Sequence, residues 1–128
     1  MTSYLKESQQ FFTAIDKLKG KKVLVLGHRR PDGDCIGSQV AMTRVLIQLG
    51  VHAKAVNEDP VPRTLKKFIV DTPFYNSDQI EEDDYIIVTV DCADHKRVGD
   101  RLQQRFPNVT VNIDHHVLSF SIPGWFPW

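Results

Sequence analysis

An α/β fold, a parallel sheet with helices on both faces, is what this sequence predicts. Three observations predict it. Short apolar, β-branched runs alternate along the chain with stretches of helical periodicity. The runs are continuous rather than alternating, as strands are when both faces of a sheet are covered. Polar residues with metal or proton chemistry gather where runs end, in "GHRRPDGD", "DCAD" and "DHH".

Taken in order, residues 3–19 place Leu5, Phe11, Phe12, Ile15 and Leu18 at helical spacing, with Gly20 as the stop. "KKVLVLG" is a buried strand. Gly33 to Leu49 reads as a helix with Ile36, Val40, Val45 and Leu49 on one side and Gly50 at its end. "VHAKAVN" is the second strand. Pro60 and Pro62 open a short helical stretch through Phe68, and residues 71–84 are turn-rich and acidic, a loop. "YIIVTVD" is the third strand. Asp94 caps a helix carrying Val98, Leu102 and Phe106, and "VTVNID" is the fourth strand. The strand order is taken as 2-1-3-4. Strands one, three and four are then neighbours, and their polar ends share one crevice beyond the carboxyl edge.

The chain of 128 residues is one domain by length. Lys plus Arg number 16 and Asp plus Glu 16, so no global field draws it to nucleic acid or anionic lipid, although a local basic groove remains open. No apolar run is long enough for a bilayer, and "MTSYLKESQQFF" lacks the pattern of a secretory signal. Cys35 and Cys92 have no metal-finger spacing and read as small packing residues, which makes the cytoplasm the expected location.

In "HRRPDGDCIGS", His28, Asp32 and Asp34 offer an imidazole and two carboxylates on a loop turned by Pro31 and Gly33. Such donors suit a hard divalent ion, and the next helix begins here with free N–H groups that favour an anion. A plain loop with Asp34 as the helix cap is equally open. Asp91 ends an apolar strand, so it is either a solvated edge group or a ligand. Asp94 is more simply a cap. In "DHH", Asp114 can orient an imidazole while His115 or His116 binds metal and the other faces substrate. Surface histidines are the alternative, weakened by three donor clusters at three strand ends. Arg97 can hold phosphate bidentately; Arg29 and Arg30 can do so or lie solvated. His52 and His95 lack clustered partners.

These motifs together resemble the N-terminal domain of DHH-family phosphoesterases. "GHRRPDGDCIGS" and "VDCADHKRVG" are most similar to the RecJ-like branch, which includes oligoribonucleases that also dephosphorylate adenosine 3′,5′-bisphosphate. The resemblance implies two Mn²⁺ or Mg²⁺ ions. His28, Asp32 and Asp91 would hold the first. Asp34, Asp91 and His115 would hold the second, with Asp91 bridging and His116 close to the phosphate. Asp91, His115 and His116 thereby become the catalytic set, Arg97 a substrate contact and Asp114 the residue behind an imidazole ligand. The implied substrate is a nucleotide or a short single-stranded oligonucleotide.

The pattern departs from the family after the triplet. "VLSFSIPGWFPW" has no family loop, and no Asp or Glu follows Asp114. Residues 1–116 are therefore read as an incomplete family domain and 117–128 as a tail outside it. A fifth strand is expected to be missing, leaving the fourth as an open edge that favours self-association into a homo-oligomer unless the tail folds back over it. Little activity is expected of such a fragment alone. Two other functions stay open: a family II-like inorganic pyrophosphatase, and a non-catalytic metal- or nucleotide-binding module.

Overall fold

The computed structural model describes residue 9, residues 12–13, 15–92, 95–113 and 118–120. Among these residues six strands form one sheet: β1 (Lys22–Leu26), β2 (His52–Asn57), β3 (Phe74–Asn76), β4 (Ile86–Val90), β5 (Val111–Ile113) and β6 (Leu118–Phe120). Their order is β3-β2-β1-β4-β5-β6. The first five run parallel, and β6 pairs antiparallel with β5. The chain thus builds outward from β1 in one direction through β2 and β3, then returns to add β4 and β5 on the other side. The switch point lies between β1 and β4. The expected order 2-1-3-4 is the sheet's inner part, β2-β1-β4-β5.

Burial on both faces explains the continuous apolar runs. In β1, Val23 and Val25 face one core with Ile15, Leu18 and Leu46, while Leu24 and Leu26 face a second with Val98, Leu102 and Phe106. Helix α1 (Gly33–Gln48) covers the first face, and helix α2 (Asp100–Arg105) packs on the second. Gly20 and Gly50 both stop helical segments with positive φ, at 78° and 89°. Arg63–Phe68 is a 3-10 turn after the two prolines. Among the described residues no helix is long and apolar enough to cross a membrane.

Four details differ from the sequence reading. Residues 71–84 are not all loop: they carry β3 and a 3-10 turn, Ser77–Gln79, closed by a capping box between Asn76 and Gln79. The helix expected after the third strand is broken. A 3-10 turn, His95–Val98, ends at Gly99, whose φ of 111° cannot continue a helix, and α2 starts afterwards. The buried stripe of α1 runs Ile36, Gln39, Thr43 and Leu46, leaving Val45 and Ile47 exposed. Gln39 is buried because its amide donates to the carbonyls of Val25 and Val56. Finally, the outer edge of β5 is paired, with Asn112 opposite Ser119, so the segment read as a tail supplies a strand.

Candidate metal centre

Three elements bring the site together at the carboxyl edge. His28 stands two residues beyond β1, Asp91 one residue beyond β4, and Asp32 at the N-cap of α1. The register pairs Leu26 with Thr89. Continued by two residues, it sets His28 opposite Asp91. Gly27 gives the strand end its close packing: a Cβ there would lie 2.5 Å from Cys35 Sγ and 2.5 Å from Gln39 Oε1. Its N–H donates to Asn57 Oδ1 at 3.0 Å, which anchors the loop to the end of β2.

His28 Nε2 lies 3.4 Å from Asp91 Oδ2 and 3.7 Å from Asp32 Oδ1. One donor atom from each of the three side chains falls within 4.8 Å of the others. The imidazole is buried, the Asp91 side chain is 21% exposed, and Asp32 opens to solvent. His28 Nδ1 donates to the carbonyl of Arg29 at 2.7 Å, which fixes the tautomer. Nε2 therefore turns its lone pair, when unprotonated, toward two carboxylates. That arrangement is repulsive unless a cation lies among them.

The donor chemistry fits a divalent ion. Around a hard six-coordinate cation with bonds near 2.1 Å, adjacent ligand atoms sit about 3 Å apart, close to the separations seen here. Asp91 adopts φ 55°, a left-handed conformation uncommon for a residue with a side chain and found most often where function demands it. Its N–H is held by the carbonyl of Ile113 at 3.0 Å.

Asp32, not Asp34, caps the helix. Its Oδ1 accepts from the Cys35 N–H at 2.9 Å, and the same oxygen faces His28. Asp34 sits exposed in the first turn of α1, outside the three-residue cluster. Asp94, Asp114, His115 and His116 lie outside the described residues. Arg97 is exposed, and its carbonyl accepts the Arg29 N–H at 2.6 Å. Both cysteines are buried, as their packing role requires. Burial pushes the Cys35 thiol up to about 12, reinforced by the Asp91 and Asp32 charges.

Sequence reasoning missed Asn57, Glu58 and Gln39. Asn57 and Glu58 end β2 and begin the next loop, so the strand-end rule that found the other clusters could have found them. Gln39 sits at helical spacing between Ile36 and Thr43, and its polarity hid its burial.

The model of the DHH family's N-terminal domain matches residues 22–124, and the chain belongs to that family. The match runs through β6, past residue 116. Among curated relatives, a probable manganese-dependent inorganic pyrophosphatase of Streptococcus mutans is 34% identical over 102 residues, 74% of this chain and 31% of that protein. Proteins of the same name from Bacillus licheniformis and Lactobacillus delbrueckii are each 33% identical, over 99 and 103 residues. The chain thus spans about a third of the length of these relatives, 31–32%.

Proposed function

We propose that this chain is the metal-holding part of a divalent-metal-dependent phosphoesterase that takes Mn²⁺ or Mg²⁺ and acts on short oligonucleotides or a nucleotide bisphosphate. The convergence of His28, Asp32 and Asp91 at the sheet's switch point carries the reading. These three side chains would hold one ion. Asp34, Asp91 and His115 would hold a second, Asp114 would orient an imidazole, and His116 would face the phosphate. Held there, a pair of such ions would supply an activated water and neutralise phosphoryl charge. The protein's own part is to fix ligand positions. Strand register sets His28 against Asp91, the Arg29 carbonyl sets the imidazole, and the α1 N-terminus holds Asp32. Arg97, beside the loop of His28, would contact the substrate.

A second reading, inorganic pyrophosphatase, is favoured by the names of the relatives. Assays of the full chain with Mn²⁺ on pyrophosphate, adenosine 3′,5′-bisphosphate and short oligonucleotides separate the two. Turnover of the latter pair, abolished by Asp91→Ala, supports the first reading, and turnover of pyrophosphate alone the second. Hydrolysis indifferent to chelator and to Asp91→Ala contradicts both.

A further inference from the structure

Beside the carboxylate–imidazole cluster lies a pocket of about 270 Å³ lined by Arg29, Arg30 and Arg97. Three guanidinium-bearing residues share it in a chain whose net charge is zero. Among the described residues, no carboxylate lies within 4.0 Å of the guanidinium of Arg30 or Arg97. The nearby Asp59 is engaged elsewhere, its Oδ2 accepting the backbone N–H of Arg30 at 2.8 Å.

The pocket is built rather than a chance meeting of mobile side chains. The Arg29 N–H bonds to the Arg97 carbonyl, which joins the loop after β1 to the turn after β4. Arg30 holds φ 51°. Arg29 is further guided by Glu58 and Gly99. Its Nε lies 3.8 Å from Glu58 Oε2, and a Cβ on Gly99 would come within 3.1 Å of its Cγ. Glu58 Oε1 in turn accepts the Arg101 N–H at 2.7 Å, so one side chain just past β2 ties the loop after β1 to the first turn of α2. Among the described residues, Arg29 makes its ion pair through Nε, which leaves its terminal nitrogens as donors.

We propose that Arg29, Arg30 and Arg97 form a phosphoryl-binding subsite distinct from the metal ligands, which takes a second, non-reacting phosphoryl group of the substrate. This rests on the phosphoesterase reading for its place in the reaction, but not for anion binding itself. Planar guanidinium groups bind phosphoryl oxygens bidentately. The peptide joining Arg29 to Arg30 serves both sites, since its carbonyl orients the imidazole and both its residues line the pocket. A substrate spanning both carries at least two phosphoryl groups. Pyrophosphate and a 5′-phosphorylated dinucleotide share that chemistry.

The test uses the full chain stripped of metal and kept in chelator, titrated calorimetrically with pyrophosphate, a 5′-phosphorylated dinucleotide and inorganic phosphate. Pyrophosphate or the dinucleotide, or both, should bind without metal and weaken as salt is raised. Arg30→Ala and Arg97→Ala should each weaken that binding by roughly tenfold, the loss of one charge-assisted contact. Circular dichroism and Mn²⁺ affinity of both variants should match the wild type, which excludes misfolding. The ligand that binds more tightly and loses more in the variants identifies the source of the phosphoryl group. Binding of these anions only when Mn²⁺ is present, or affinities unchanged in both variants, would overturn the subsite. Asp91→Ala separates the two readings: it should remove Mn²⁺ binding and leave metal-free anion binding intact. A wild type that binds anions through these arginines but no Mn²⁺ would sink the metal reading and leave the subsite standing.

Discussion

His28 Nε2 and Asp91 Oδ2 face each other across 3.4 Å because β1 and β4 are adjacent parallel strands whose register runs on into the loops. The relationship is a consequence of topology. The chain places β2 and β3 on one side of β1 and β4 on the other, so the loops after β1 and β4 diverge at their helices and leave a crevice. Two residues far apart in sequence become partners without either needing a long reach.

Gly99→Ala should destabilise the chain by about 1–3 kcal/mol, the usual cost of holding a side chain in a disfavoured backbone region. The steric contact adds to this, since the new Cβ would lie 1.3 Å from Glu58 Oε2 and φ is 111°. Urea unfolding of variant and wild type measures the difference. Equal midpoints would show that the loop after β4 relaxes freely.

Cys35 should be inert in the folded protein. It is fully buried, and burial holds the thiol near 12 rather than the ordinary 9.0. A disulfide reagent at pH 8 should react with it only after denaturation. The linkage has a definite sign. Above about pH 9 the unfolded chain releases the Cys35 proton while the folded chain keeps it. This contribution to stability is therefore complete below pH 9 and declines as pH rises toward 12. Rapid labelling of the native chain at Cys35 would contradict the packing.

The sheet's parallel inner order was legible because continuous apolar runs, rather than alternating ones, report burial on both faces. His28, Asp32 and Asp91 were legible because each follows such a run or opens the next helix. Asp32 and Asp34 could not be assigned to cap and first turn from spacing, since both carboxylates lie within one turn of the helix start. The backbone of Asp32, extended at φ −102° and ψ −175°, decides it. The face of α1 was misread at Val45 because Gln39 and Thr43 occupy the buried stripe. Gln39 goes inside because carbonyls from two paired strands await its amide, and that depends on tertiary pairing. Whether the tail would cover the edge at β5 stayed open for a related reason. Residues 118–120 form a strand only by pairing with 111–113, a relation that no local pattern shows.

Ser119→Pro should expose the β5 edge. Ser119 lies opposite Asn112, and proline there removes an N–H and distorts the pairing of a strand of three residues. Unpaired edges recruit other chains, so light scattering should show more self-association in the variant than in the wild type. Identical scattering curves would mean that β6 does not protect the edge.

The most direct measurement is a titration of the metal-free full chain with Mn²⁺, followed by the paramagnetic signal of the free ion, for the wild type and for His28→Ala, Asp32→Ala and Asp91→Ala. With His28, Asp32 and Asp91 as ligands, the wild type should bind Mn²⁺, and each substitution should weaken binding by roughly 10²-fold or more, beyond what loss of a supporting group costs. Asp91→Ala should have the largest effect if its carboxylate serves two ions. Folded variants that take up Mn²⁺ with wild-type affinity would contradict the assignment of this cluster as a metal centre.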